Sequence, residues 1–431
     1  PVWGKLGDTI GRKKVYMLGF GLFIFGSVLA GFAWNFTSMI VFRIIQAIAS
    51  SADYPTAMAI VATTFKNNKR RAQALGIWSS AFAASAIMGP LLGGPLIDNF
   101  GWRSIFFLNL PVGIVGMLMA SVFIRESVVP KIKPSFDWWG AITLGISLSS
   151  LVLVLDKVTD WGWLSLESIA CYVSALAFGA IFVAIERHID EPMVDLKFFK
   201  IPVFVNVLVN NFIVFMGMMG SVFLIPIFAQ TFLGYDATQS GYLFIPMAVA
   251  MMVVAPFGGA LTGKVRAGYV IAASTFVAAI GLFLFSVYLD PRSGALDIII
   301  PLTIMAIGLG FGMPQRTNII ASTVPEREVG VASSILALAR NIAGAFGISL
   351  SSTFLVWAGE NNAIEIAKNS IINSTNPIIH SQFVQLIELK AQIDAYGSVF
   401  LISAGLVLLG AILALFIKVP HEKIVTVHME S

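Results

Sequence analysis

The chain has 431 residues, of which 57% are apolar and 12% charged, and its mean hydropathy is +0.87. Water-soluble domains of this length do not carry such a composition, so the solvent that selects this fold is lipid. A formal net charge of +4 does not point to a nucleic-acid partner, and a single cysteine, Cys171, excludes an internal disulfide.

The sequence opens on a charged loop punctuated by glycine, Gly4-Lys5-Leu6-Gly7-Asp8-Thr9-Ile10-Gly11-Arg12-Lys13-Lys14, which leads straight into an apolar run. With Pro1 in first place and such a loop directly behind it, the natural N-terminus is expected to lie upstream. Apolar runs of about 20 residues cross a hydrocarbon core of roughly 30 Å as helices, and the short alternating strands of a membrane barrel are not the pattern here. Twelve runs are predicted to span: Val15–Trp34, Ser38–Ala62, Gln73–Ile97, Ile105–Ile124, Asp137–Leu155, Leu166–Ile185, Val203–Ala229, Gly241–Gly263, Tyr269–Leu289, Ile298–Ile320, Val331–Trp357 and Tyr396–Ile417. The expected fold is an all-α polytopic membrane protein.

Basic residues collect in cytoplasmic loops, so their distribution tests this count. Nineteen of the 27 Lys and Arg fall in the loops and tail assigned to one side, five fall on the other, and Arg43, Arg316 and Arg340 lie within spans. Both ends of the chain are therefore expected to be cytoplasmic, in a multi-pass protein of the inner membrane.

Four motifs carry a resemblance. The opening loop matches G-x-L-a-D-r-x-G-r-k at Gly4, Leu6, Asp8, Gly11, Arg12 and Lys13, while Gly7 and Thr9 depart from it. Arg43-Ile44-Ile45-Gln46 matches R-x-x-Q, with Ala47 and Ala49 where glycines usually follow. Ser85-Ala86-Ile87-Met88-Gly89-Pro90-Leu91-Leu92-Gly93-Gly94 matches the exporter motif g-x-x-x-G-P-x-x-G-G, and the fourth motif runs from Trp102 to Gly113. Together they resemble the major facilitator superfamily, and within it the fourteen-helix drug:proton antiporters of the EmrB/QacA type, lacking the first two helices.

The resemblance implies two helix bundles with an inserted helix pair. Its domains would be a truncated four-span bundle (1–124), an inserted two-helix region (125–200), a six-helix bundle (201–418) and a cytoplasmic tail (419–431). It also implies a non-enzymatic exporter of amphipathic or cationic compounds, driven by protons through alternating access, with no cofactor and no metal. A dedicated metabolite or amino-acid exporter and a transport-incompetent fragment are the alternatives.

Candidate residues follow from physics beside the motifs. Glycines at Gly4 and Gly11 permit a tight turn, so Asp8 can meet Arg12 or a helix end of the other half; with Lys13 these residues form a conformational latch or a plain positive anchor. Ser85, Gly89 and Gly93 share one helix face that admits a close partner, Pro90 bends that helix, and Gly94 completes the motif. A charge within a span is functional by default. Arg43, Asp53 and Arg340 qualify on that ground, and they are assigned to proton coupling: for Arg43 the matching motif implies it, Arg340 resembles the family's R-x-x-G-G stretch, and Asp53 either titrates or attracts a cationic substrate. Snorkelling stands as the other reading for Arg43, and a neutral, hydrogen-bonded carboxyl beside Pro55 or an inward-facing helix end as the other reading for Asp53. Arg316, near a span end, is expected to snorkel.

Gln46, Asn210, Asn211, Met216, Met247 and Asn341 are candidates for a substrate cavity, or they pack against helices. Gly258 to Lys264 imitates a phosphate loop, but Val265 replaces the Ser or Thr that Mg²⁺ needs and the segment ends a membrane span. The polar stretch Ala358 to Ala395 is expected to be an outer loop with one short amphipathic helix near Phe383 to Ile393. Its length resembles the outer loop of EmrB-type pumps, which implies a periplasmic adaptor; an idle loop is the alternative. The remaining expected partners are the bilayer, protons and the substrate.

Overall fold

The computed structural model describes residues 3, 6–7, 10–64, 85, 88–89, 91–126, 137–189, 192, 194, 196–261, 265–324, 329–370 and 377–417. Gly4, Asp8 and Pro90, together with the basic loop at 65–84 and the tail, lie outside them. Among the described residues the regular structure is helical throughout, with no strand. The helices are α1 (Arg12–Gly31), α2 (Phe36–Ser50), α3 (Asp53–Thr64), α4 (91–100), α5 (Ser104–Phe123), α6 (Trp138–Trp161), α7 (Leu166–His188), α8 (Pro202–Phe232), α9 (Ala237–Tyr242), α10 (Ile245–Ala260), α11 (Ala267–Tyr288), α12 (Ala295–Ser322), α13 (Val329–Asn369) and α14 (Pro377–Leu415).

Among the described residues ten helical segments are long and apolar enough to cross a membrane, and each overlaps one of the predicted runs; most of the run Gln73–Ile97 lies outside the described residues. The run Ser38–Ala62 is divided instead into α2 and α3, and a proline at position 55 has no N–H to offer the Ser51 carbonyl four residues back. The disturbed carbonyls find other donors. Ser50 and Ser51 hydroxyls bond the Ala47 and Ile48 carbonyls at 3.0 and 2.7 Å, and the Trp3 indole N–H reaches Ile48 O at 2.8 Å.

Side-chain caps set several helix starts. Asn35 and Ser38 form a reciprocal capping box on α2, Asp137 accepts from the Gly140 N–H at 2.7 Å, and Asp236 caps α9 with Gln239 replying. Glu167 in the first turn of α7 and Arg187 in its last turn both complement the helix dipole.

Packing divides by neighbour. Helix α1 lies against α2 and α5; α6 pairs with α7 and also touches α13; α8 packs on α13 and α14, α11 on α12 and α14, and α10 on α12. Two apolar clusters fill the last group, one around Phe228, Phe285, Leu302 and Phe400, the other around Phe204, Ile271, Ile320 and Ala414.

Glycine sets the separation of these helices. A Cβ at Gly347 would stand 2.0 Å from the Met216 carbonyl oxygen, and one at Gly220 would stand 2.4 Å from the Gly347 carbonyl oxygen, so α8 and α13 touch backbone to backbone. Gly308 meets Ser274 and Ala278 of α11, and Gly258 meets Phe311 of α12, with the same intimacy. In lipid, where apolar contact between helices gains nothing over contact with acyl chains, such close approach supplies the association energy.

Two expectations change. Arg316 does not snorkel: it is 2% exposed, its Nε donates to Asn210 Oδ1 at 2.8 Å and its Nη2 to Thr275 Oγ1 at 2.7 Å, while Asn210 Nδ2 donates to the Gly410 carbonyl at 2.6 Å. One guanidinium thus ties α8, α11, α12 and α14 together, in a place where a neutral polar cradle replaces water. The segment Ala358 to Ala395 is no loop with a separate short helix. Helix α13 continues to Asn369 and α14 begins at Pro377, so two long helices project past the apolar zone.

Replacing Gly347 by Leu is expected to destabilise the chain by about 3 kcal/mol or more through forced separation of α8 and α13. Gly359→Ala, at a position where a Cβ meets open space, is expected to leave stability unchanged or slightly raised. Thermal unfolding in one detergent checks both.

Candidate transport site

At the end of α1 that bears Lys13, the backbone turns through Gly11 at φ +110°, which L side chains rarely adopt, and a Cβ there would also stand 2.5 Å from Glu126 Oε1. Glu126 accepts from the Lys13 N–H at 3.2 Å, and Lys13 Nζ donates to the Ser121 carbonyl at 2.6 Å. Of the latch residues, Gly11, Arg12 and Lys13 are described: Gly11 caps α1, Arg12 and Lys13 begin it, and Gly11 and Lys13 meet the end of α5. Gly4 and Asp8 are outside the described residues.

Further along α2, Arg43 Nη1 donates to Gln46 Oε1 at 2.7 Å and its guanidinium lies 5.7 Å from the centre of the Phe106 ring. Gln46 is buried because Gly26 of α1 presses on its backbone. Beside this pair, Asn109 of α5 donates to Ser27 Oγ at 2.8 Å, and Ser27 donates to the Phe106 carbonyl at 2.9 Å. Ser27 and Asn109 extend the polar seam to three helices, and nothing in their separate sequence contexts singles them out.

Asp53 opens α3 and is exposed. It lines a cavity of about 170 Å³ with Tyr16, Phe20 and Phe23 of α1. Arg340 sits on the other group of helices, its guanidinium 5.4 Å from the centre of the Phe215 ring, and the adjacent Asn341 is exposed. The remaining cavity candidates are largely engaged in packing. Asn210 is held between Arg316 and Gly410, the Met216 carbonyl faces Gly347, and Met216 and Met247 both pack on the larger apolar cluster. Asn211 is buried, and its Nδ2 has no hydrogen-bond partner among the described residues.

The exporter motif ends in a contact between early and late helices, which also meet where α3 touches α13. Gly89 and Gly93, expected to admit a partner, have no described residue within 4 Å of a would-be Cβ, and Ser85 is exposed. Gly94 makes the approach instead: a Cβ there would lie 2.4 Å from Thr238 Cα and 2.9 Å from the Ala237 carbonyl. One turn on, the Asp98 carboxylate accepts from the Thr238 N–H at 2.8 Å and from the Thr238 hydroxyl. The hydroxyl and the N–H hold the Asp98 carboxyl below the usual carboxylate range. This contact lies at the end opposite Lys13, where Arg103 Nη2 donates to the Ala33 carbonyl at 3.0 Å. The only sequence signal for Asp98 is its i+4 spacing from Gly94, which places both on one helix face.

Comparisons accord with this architecture. The chain is 30% identical over 353 residues to the multidrug resistance protein Stp of Mycobacterium tuberculosis, covering 82% of this chain and 65% of that protein. It is 27% identical over 412 residues to the multidrug export protein EmrB of Haemophilus influenzae, covering 95% and 80%. Thus the chain spans about two thirds of the length of Stp. A crystal structure of a POT family transporter in complex with a thioalcohol-conjugated peptide superposes with a TM-score of 0.64 at 15% identity, covering 94% of this chain and 82% of that one. Residues 1–348 match the family described as the Major Facilitator Superfamily, and the chain belongs to it.

Proposed function

We propose that this chain is a proton-coupled exporter of amphipathic or cationic compounds, of the fourteen-helix EmrB/QacA subtype, working across the cytoplasmic membrane by alternating access. In this reading α1 to α5 form one bundle (1–124), α6 and α7 the inserted pair (125–200), and α8 to α14 the second bundle (201–418). The names of Stp and EmrB support drug export, and the nineteen basic residues on one side support cytoplasmic ends for the chain.

The observation that carries the reading is the junction of Gly94 and Asp98 with Thr238. It is a small, polar contact between helices that the proposal places in different bundles. Close backbone approach lets the halves shut tightly, and an exposed carboxylate on an N–H and a hydroxyl separates without stranding a buried charge. We assign it to closure on the outer side. The seam of Arg43, Gln46, Ser27 and Asn109 is the polar route we assign to coupling, with Asp53 and Arg340 as further charges. The projecting ends of α13 and α14, with Ile378 and Leu386 exposed, form the surface we assign to a periplasmic adaptor.

The sign of the Asp98 effect sets a pH window. Because contact lowers its pKa, the contact is at full strength above the ordinary carboxylate value of about 4 and is lost only as pH falls through the lowered value. Titration of Asp98 therefore leaves closure intact between pH 6 and 8, and any pH dependence of transport in that range arises elsewhere.

Two measurements follow. Dye efflux from energised cells stops when the proton gradient is collapsed; efflux that continues unchanged contradicts proton coupling. Gly94→Leu reduces efflux at least tenfold at equal membrane abundance while Gly93→Ala has no effect, and equal efflux from both variants contradicts closure at this junction.

A further inference from the structure

The helices around Arg316 answer only part of its guanidinium. Nε and Nη2 donate to Asn210 and Thr275, but Nη1, which carries two N–H groups, is fully buried and has no hydrogen-bond partner among the described residues. The partners that Arg316 does have are a neutral amide and a neutral hydroxyl, and among the described residues no carboxylate lies within ion-pair distance of it. A guanidinium stays protonated at physiological pH, so the cost of holding this charge out of water is not escaped by losing a proton.

Nη1 lies over Gly312, one turn back on α12. A Cβ at Gly312 would stand 2.7 Å from Nη1 and 2.6 Å from Ser274 Oγ of α11, and the next contact is Arg316 Cζ at 3.5 Å. Two donors therefore flank one bare patch of backbone. Ser274 is buried and its hydroxyl donates to the Ile271 carbonyl at 2.9 Å, a bond that a rotating O–H gives up for a stronger acceptor. One turn farther along, α11 and α12 meet at Gly308, where a would-be Cβ lies 2.4 Å from the Ser274 carbonyl oxygen, so the gap at Gly312 is narrow. A water molecule would satisfy the N–H groups and leave the charge, whereas an anion answers both. The gap favours a monoatomic ion over a tetrahedral oxyanion or an organic acid.

We infer that Arg316 Nη1 and the Ser274 hydroxyl, over the backbone of Gly312, bind a small monovalent anion of halide size, such as chloride, as the counter-ion of the four-helix tie. The site does not rest on the export reading, because it fixes α8, α11, α12 and α14 to one another whatever the protein carries.

The test is thermal unfolding of the purified full chain in one detergent, with sodium chloride or bromide exchanged for sodium gluconate at constant ionic strength so that screening is equal. A ligand bound by the folded state alone raises the unfolding midpoint as its concentration rises. Halide is expected to raise the midpoint by a few degrees and to saturate. Ser274→Ala is expected to increase the half-saturating halide concentration severalfold, while Gly312→Ala, which fills the gap, and Arg316→Gln, which removes the charge, abolish the halide dependence. Ser274→Ala and Gly312→Ala carry the test if Arg316→Gln does not fold. Equal midpoints in halide and gluconate for the wild type mean that water alone meets Nη1 and overturn the site. A halide effect undiminished in both Ser274→Ala and Gly312→Ala places the ion elsewhere and overturns it as well.

Discussion

Two apolar helix faces in lipid attract each other hardly more than each attracts acyl chains, so what holds α8 to α13 is the distance at which Gly220 and Gly347 let their backbones meet. Repeated at Gly308 on α11 and Gly258 on α12, this approach turns the later helices into a unit held by many short dispersion contacts. The Arg316 cradle belongs to the same unit. A guanidinium can be buried there because Asn210 and Thr275 are already close enough to receive it, and it then opposes any change in the separation of four helices.

The contacts toward the early helices differ in kind. Gly94 does approach α9 closely, but the contact is short and its polar component, Asp98 on Thr238, is exposed. A tightly packed unit that meets its neighbour through small contacts, this polar junction and the touch of α3 on α13, moves as a body before it deforms. The division into rigid and separable contacts is what the proposed alternation of access requires.

Much of this was legible in the sequence, for a physical reason. Where the solvent is lipid, composition alone selects the spanning runs; the ten long apolar helices among the described residues follow from hydropathy with little help from local propensity. What was not legible depends on partners far along the chain. Arg316 looks like a snorkelling residue until Asn210 and Thr275, 106 and 41 residues away, arrive beside it. The junction of Asp98 with Thr238 spans 140 residues and has no local signature. Polarity misled the reading of Ala358 to Ala395. Glu360, Asn361, Asn362 and Glu365 suggest a loop, yet no proline interrupts the stretch from Gly359 to Asn369, and α13 simply continues beyond the apolar zone. The described residues of the exporter motif are helical, and among the described residues the glycine that makes a close contact is Gly94 rather than Gly89 or Gly93, a choice set by the position of α9.

Separation of the two units at the Asp98 junction can be tested by tethering it. With Cys171→Ser as background, Asp98→Cys and Thr238→Cys are oxidised to a disulfide in membrane vesicles and dye export is followed. The account predicts that the cross-link forms, stops export, and that reduction restores it. Export at the uncross-linked rate from fully cross-linked protein would contradict it, because the junction would then have no need to open.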